Sequence, residues 1–402
     1  MIFHHWFKHK TNFLNGYKLK NIYQIYMVKM KSNNILLIVV IVHLFAASLL
    51  FFSICSSSHI TLNITTGIDN STKLLNTQSE EKSIKYKENR SLYVDKFIQP
   101  QFHNKKIDLR NFNYKGKCQE IFKFKPNNKR DLWLTAVGFQ NKNYWDRNRN
   151  EILLSYAVSN SSIPNADKVV ILLPGGYPKE FSKITTQFGL RLVNSDINDD
   201  PKYSSCHDAT KRIPAFRKFI EKNKEKYDRV LISDHRDVFI FADFFQTFSQ
   251  EDLVFTPECG IRGNTCMTFD WSHVYTWMRE TYGYQIANEY RNNRSLNINI
   301  GTIFGGTDRI LKYLDLMERN IKTNKCKLWG HDQTVHNMVF YSYFYKKDKN
   351  VTVERCTQRM CFLQMGSLLY NSKEKQLKIA DSGCSPILRH KVPEISTGEN
   401  WR

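Results

Sequence analysis

From about residue 130 onward, apolar residues recur in short runs separated by segments of helical periodicity. DLWLTAV (131–137), KVVILLP (168–174), LRLVNS (190–195) and RVLISD (229–234) each read as a strand. The first, second and fourth are apolar at several consecutive positions, the pattern of strands buried on both faces. The second is closed by Pro174-Gly175-Gly176, a turn signal. Between these runs, residues 145–159, 179–188 and 208–226 read as helices, the last with Ile213, Phe216, Phe219 and Ile220 on one face. Further on, LNINIGTIFGG (296–306) reads as strand and turn. Thr307 is expected to cap the next helix, whose Ile310, Leu314, Met317 and Ile321 form a core stripe. Alternating strands and helices predict an α/β, Rossmann-like fold: a mixed, mainly parallel sheet flanked by helices. Residues 351–402 are irregular, with short strands such as QLKIAD.

The first 128 residues have a different texture. Ile35–Ile54 is a run of 20 residues without a formal charge. At about 1.5 Å per residue such a helix spans about 30 Å, the hydrocarbon thickness of a bilayer. Residues 1–34 hold Lys8, Lys10, Lys18, Lys20, Lys29 and Lys31 and no acidic residue. The positive-inside rule puts that end in the cytosol. The alternative is a cleaved signal peptide, favoured if translation starts at Met27 or Met30. Residues 56–128, rich in Ser, Thr, Asn and Lys, read as a stem. The expected organisation is a cytosolic tail (1–34), a transmembrane signal-anchor (35–55), a stem (56–128) and a globular domain (129–402) beyond the membrane.

Composition narrows the classes. The chain has 402 residues and a formal charge of +21, with 41% hydrophobic and 24% charged residues. These values exclude a wholly disordered chain or a collagen. The excess charge falls partly in the tail and stem, and no basic cluster with interleaved aromatics is present, so no nucleic-acid partner is expected. Nine Cys are too few for a disulfide scaffold. Apart from Cys55, the eight others (Cys118, Cys206, Cys259, Cys266, Cys326, Cys356, Cys361 and Cys384) are an even set. Up to four disulfides are expected, Cys259–Cys266 among them as a local closure. A zinc site is the alternative, but no C-x2-C pair exists. Sequons at Asn63, Asn70, Asn89, Asn160, Asn293 and Asn350 fit an oxidising, secretory compartment.

The sharpest chemical feature is Leu231-Ile232-Ser233-Asp234-His235-Arg236-Asp237-Val238. Two carboxylates follow a buried parallel strand, and ligands of open α/β sheets bind at such strand ends. Hard divalent cations take carboxylate oxygens and complete their shells with phosphates and water. The bland alternative is that Asp234 caps a turn and Arg236 pairs with Asp237 at the surface. Other catalytic signatures are missing: there is no G-x-S-x-G, no G-x-x-x-x-G-K-[ST] and no H-E-x-x-H.

SDHRDVF resembles the D-x-D region of GT-A-fold glycosyltransferases, in the variant Asp-x-Arg-Asp-Val. LNINIGTIFGG resembles the Asn-x-Gly segment lining the sugar and acceptor pocket in that group. WGHDQTVHN resembles its later "DQ" segment, and ILRHKVP its C-terminal apolar-His segment. The resemblance covers about 130–395 and implies a GT-A-like fold. It implies Asp237, with Asp234 and His390, as ligands of a divalent cation, Mn²⁺ or Mg²⁺. It places Asn299, Gly301 and Gln333 beside the sugar, and Asp332 as the catalytic carboxylate, either a hydrogen-bond partner of the sugar or a general base. The plain alternative for Asp332 is a helix cap. By the same analogy Val137 and Gly138 meet the nucleotide. Arg212 reaches the diphosphate as a charge-assisted donor, or is a solvated helix residue. One departure stands out: two residues, not one, separate the carboxylates, so Asp234 is either a direct metal ligand or a partner of the ribose or a bound water.

The resulting expectation is a Golgi type II membrane enzyme moving a sugar from a nucleotide-sugar, a UDP-sugar foremost, to a hydroxyl of a glycan, glycoprotein or glycolipid. The main rival is an inactive relative that binds glycans or proteins, which the stretched acidic spacing favours. A lumenal phosphodiesterase would need a denser His/Asp cluster for two metals.

Overall fold

The computed structural model describes residues 111–139, 143–260, 265–362, 368–371 and 373–391. The apolar run at 35–54, the tail and the stem up to residue 110 lie outside the described residues. Among the described residues, no helix is long and apolar enough to cross a membrane.

Seven strands form one sheet in the order β3-β2-β1-β4-β7-β6-β8. They are β1 (Asp131–Val137), β2 (Asp167–Leu172), β3 (Arg191–Asn194), β4 (Arg229–Ser233), β6 (Leu253–Pro257), β7 (Ile298–Gly306) and β8 (Val351–Val353). The sheet is mainly parallel: β7 alone runs against its neighbours β4 and β6. Strand alternation feeds two cores. Leu132, Leu134 and Ala136 of β1 enter one with Val169, Ile171, Val230 and Ile232, while Trp133 and Val137 enter the other with Val170, Leu172 and Leu231. Both faces are apolar because both are covered by helices.

On one face lie α1 (Tyr144–Ser162) and α2 (Lys179–Gln187); the other is covered by α3 (Asp208–Asn223), α6 (Thr307–Asn320) and α7 (His331–Val339). The apolar stripes of α3 and α6 are buried as their periodicity requires. Between β6 and β7, α4 (Ser272–Tyr282) and α5 (Tyr284–Asn292) pack on each other around Met278 and Ala287. Thr307 does not cap α6. Gly306 holds that position, and the Thr307 hydroxyl donates to the Tyr227 carbonyl at 2.8 Å instead.

A second, three-stranded sheet joins β5 (Val238–Ile240), β12 (Leu388–His390) and β9 (Met360–Phe362), in the order β5-β12-β9. A hairpin of β10 (Leu368–Asn371) and β11 (Gln376–Ile379) completes the strands. Four disulfides form: Cys118–Cys384, Cys206–Cys326, Cys259–Cys266 and Cys356–Cys361. The segment 111–128, read from sequence as the end of the stem, packs on the domain. The Asn113 N–H donates to Ser385 Oγ at 2.7 Å, the Tyr114 hydroxyl donates to the Pro386 carbonyl at 2.8 Å, and Cys118 is tied to Cys384. Among the sequons, Asn293 and Asn350 are exposed, whereas Asn160 is buried within α1.

At the end of the sheet away from the acidic strand tip, Asp131 and Arg229 face each other in register. Arg229 Nε and Nη2 donate to the two Asp131 oxygens, each at 2.7 Å, and Nη1 donates to the Lys125 carbonyl at 3.1 Å. Both side chains are buried, so losing one partner strands a charge. Asp131→Ala is therefore expected to cost about 3–5 kcal/mol in urea denaturation.

Candidate functional site

The chain leaves β4 at Ser233 and turns through Asp234-His235-Arg236-Asp237 into β5. Asp234 stays beside the sheet because its N–H donates to the Gly301 carbonyl of β7 at 2.8 Å. Asp237 is brought to the last strand by the antiparallel pairing of β5 with β12. Val238 stands opposite His390, and the Lys391 N–H donates to the Asp237 carbonyl at 2.7 Å. The result is a cluster of three: His390 Nε2 lies 3.2 Å from Asp234 Oδ2 and 3.4 Å from Asp237 Oδ1. Their ligand-type atoms all lie within 4.8 Å of one another.

The remaining oxygens are already committed. Asp234 Oδ1 accepts from Arg212 Nη1, and Asp237 Oδ2 accepts from Arg236 Nη2 at 2.8 Å. Each carboxylate thus turns one oxygen toward the imidazole. Asn299 fixes the imidazole's other side. Its Nδ2 donates to Glu258 Oε1 at 3.0 Å, so its Oδ1 is an acceptor for the Gly301 N–H at 2.9 Å and for His390 Nδ1 at 3.0 Å. Nδ1 therefore carries the proton, and Nε2 faces the two carboxylates, buried and without a well-aligned hydrogen bond of its own. The Phe362 ring stands edge-on to the imidazole at 4.8 Å.

These contacts set the charge states. Burial opposes ionisation of Asp234, but Arg212 and His390 hold its carboxyl well below the usual range. Burial likewise opposes Asp237, and His390 again holds it low. For His390, burial favours the neutral ring, yet the two carboxylates raise its pKa to about 9. Two inward carboxylate oxygens and an imidazole nitrogen demand a positive charge between them. An oxygen-oxygen-nitrogen set of this kind suits a divalent cation, with Asn299 as the outer partner that fixes the tautomer. The fit is close at Gly301: a Cβ there would lie 2.2 Å from His390 Cε1 and 2.6 Å from Asp234 Oδ2.

A bulge delivers Asn299 and Gly301. Between β6 and β7 the register jumps from Phe255–Ile303 to Thr256–Asn299, so 300–302 bow away from β6, while the pairing with β4 continues as far as Thr302. Such irregularities re-aim residues beside sites.

The cluster lines a cavity of about 810 Å³ that also touches Gly138, Arg212, Glu258, Asp332 and Gln333. Asp332 stands in the first turn of α7, buried, and Arg212 bridges it to Asp234, with Nη2 donating to Asp332 Oδ2 at 2.9 Å. Arg212 is thus not a solvated helix residue: its guanidinium joins two carboxylates while lining the cavity. Gln333 is also committed: Oε1 accepts from the Ile300 N–H at 3.0 Å, and Nε2 donates to the Ile298 carbonyl at 2.6 Å. It clamps β7 to α7. Val137 points into the core and its carbonyl accepts from the Leu173 N–H at 2.9 Å, while its neighbours Ala136 and Gly138 line the cavity. Gly138 leaves room for Asp208, whose Oδ2 would lie 2.0 Å from a Cβ there.

Three groups escaped the sequence reading. Glu258 follows β6 as Asp234 follows β4, so a carboxylate after a buried strand was the available signal. The Tyr144 hydroxyl is 2.7 Å from His235 Nε2, and burial lowers the His235 pKa to about 4, keeping the ring neutral. Aromatic residues on α4 and before α7 also line the cavity.

No protein-family model matches this sequence, and a comparison with curated proteins finds no match either.

Gly301→Ala pushes a methyl group between His390 and Asp234. The variant is expected to lose about 1–3 kcal/mol of stability. Its Mn²⁺ affinity is expected to fall at least about tenfold, measured by isothermal titration calorimetry.

Proposed function

We propose that the chain is a metal-dependent glycosyltransferase of GT-A type that transfers a sugar from a nucleotide-sugar, foremost a UDP-sugar, to a carbohydrate-bearing acceptor. The observation that carries the reading is the convergence of Asp234, Asp237 and His390 in a cavity at the carboxyl end of a parallel strand. The resemblance of four segments, in order, to that enzyme group supports it. In this reading the protein is anchored by the apolar run 35–54, its domain lies in the Golgi lumen, and the disulfides fit that oxidising compartment.

The charge of the cavity supports a cation as intermediary. Although the chain is strongly basic, the cavity is lined by Asp208, Asp234, Asp237, Glu258 and Asp332 against Arg212, Arg236 and Lys391. A diphosphate enters an acidic cavity only with its charge offset. Asp234, Asp237 and His390 would hold Mn²⁺ or Mg²⁺, which when bound offsets the charge developing on the departing diphosphate.

The protein's own groups do the rest. In transfer the bond from the sugar's anomeric carbon to the diphosphate oxygen breaks and its electron pair leaves with the nucleoside diphosphate. A new bond forms to the acceptor oxygen, whose proton is taken up by Asp332. Arg212 orients Asp332 and Asp234 together, so that metal-side and acceptor-side carboxylates keep a fixed separation. Glu258 and Gln333 keep Asn299, and with it His390, in position.

Asp237→Ala is expected to lower nucleoside diphosphate release from a panel of UDP- and GDP-sugars at least about a hundredfold, since a metal supplies several kcal/mol of charge stabilisation. EDTA should do the same to the wild-type chain. Full turnover in either case refutes the metal role, and silence across the panel by well-folded protein favours a glycan- or protein-binding role instead.

A further inference from the structure

Four aromatic rings in the cavity lining are in reach of solvent: His273 and Trp329 are exposed, and His207 and Trp277 are half-buried. His273 and Trp277 stand one helical turn apart on α4, their ring centroids 5.0 Å apart. His207 and Trp329 form a second edge-to-face pair at 5.1 Å. Trp329 is 63% exposed, although an indole is among the largest apolar surfaces a side chain offers. Exposed aromatic surface beside a polar cavity marks a contact surface for something else.

The rings are held in place. Cys206 and Cys326 are disulfide-bonded, and the His207 N–H donates to the Cys326 carbonyl at 2.9 Å, which ties the start of α3 to the loop carrying Trp329. Gly330 has φ +80° and lies against the Trp277 ring, where a Cβ would come within 2.3 Å of it. Only glycine permits both that backbone shape and that approach. Trp329 is thereby fixed three residues before Asp332 in a preorganised wall.

We propose that this aromatic margin is the acceptor site and that the acceptor is the pyranose end of a neutral oligosaccharide. The proposal rests on the transferase reading for the word acceptor. A pyranose has an apolar C–H face and a rim of hydroxyls. The indole faces match the first, and the imidazoles with Asp208 and Asp332 match the second as hydrogen-bond acceptors. Away from the Asp234, Asp237 and His390 cluster, the charged groups on the aromatic side of the cavity are Asp208 and Asp332 against Arg212, which disfavours sialylated or phosphorylated glycans. The aliphatic lining is limited to Ala136, Leu173, Ala209, Met267 and Ile300, a poor match to a lipid chain.

The test is isothermal titration calorimetry of the full chain, without donor, against chitotriose, N-acetyllactosamine and mannotriose, with 3′-sialyllactose as the anionic comparator. At least one neutral oligosaccharide should bind saturably and more tightly than the sialylated one. Trp329→Ala, which removes an exposed side chain, should weaken that binding about tenfold or more. Tyr284→Ala, an exposed aromatic outside the cavity lining, should leave it unchanged. No binding by any neutral oligosaccharide, or equal affinity in Trp329→Ala, overturns the inference. Nucleotide-sugar hydrolysis by the wild-type chain is followed in parallel. Glycan binding that depends on Trp329 without hydrolysis sustains this site and overturns the transferase reading; hydrolysis without glycan binding overturns this site alone.

Discussion

Two carboxylates and an imidazole, desolvated together at the tip of a parallel strand, set the terms for everything around them. Like charges repel, and Asp237 is buried beside a half-buried Asp234, so solvent disperses little of the charge of the pair. The fold meets this demand from two directions. Arg212 and Arg236 neutralise the outer oxygens. His390 faces the inner ones, oriented by Asn299 so that its ring proton points away from them. The space where the three groups meet is a place for positive charge, the same demand that raises the His390 pKa to about 9 and that a divalent cation would meet in the proposed reading.

Long-range chain connections hold this arrangement. The acidic turn and His390 are far apart in sequence, and the β5–β12 pairing makes them neighbours. The bulge in β7 supplies Asn299 and Gly301, and the glycine leaves the space the imidazole and Asp234 occupy. The α7 helix adds Asp332 on one side and clamps β7 through Gln333 on the other. The three-residue cluster and Asp332 are therefore parts of one hydrogen-bonded unit centred on Arg212.

Much of the fold was legible because its strands are continuous apolar runs and its helices carry clear stripes. The strands β1, β2, β3, β4 and β7 and the helices α1, α2, α3 and α6 follow the hydrophobic pattern closely. The reversed direction of β7 was not legible, since a buried strand reads the same both ways. The helix α4 was hidden because His273 and Trp277 serve the cavity while Val274 and Met278 serve the core. Asp234, Asp237, Asp332 and His390 were legible only as motif positions; their meeting depends on strand pairing that no local pattern encodes. For Val137, strand alternation turns the side chain into the core, and for Gln333 the amide is consumed by β7. Glu258 was passed over because its partners, Asn297, Asn299 and Gln333, come from other elements.

The most direct test of the central claim is pulsed electron paramagnetic resonance of Mn²⁺ bound to the full chain. The account predicts modulation from one directly coordinated imidazole nitrogen, lost in His390→Gln. Bound Mn²⁺ with oxygen ligands alone in the wild-type chain, or no bound Mn²⁺ at all, would contradict it.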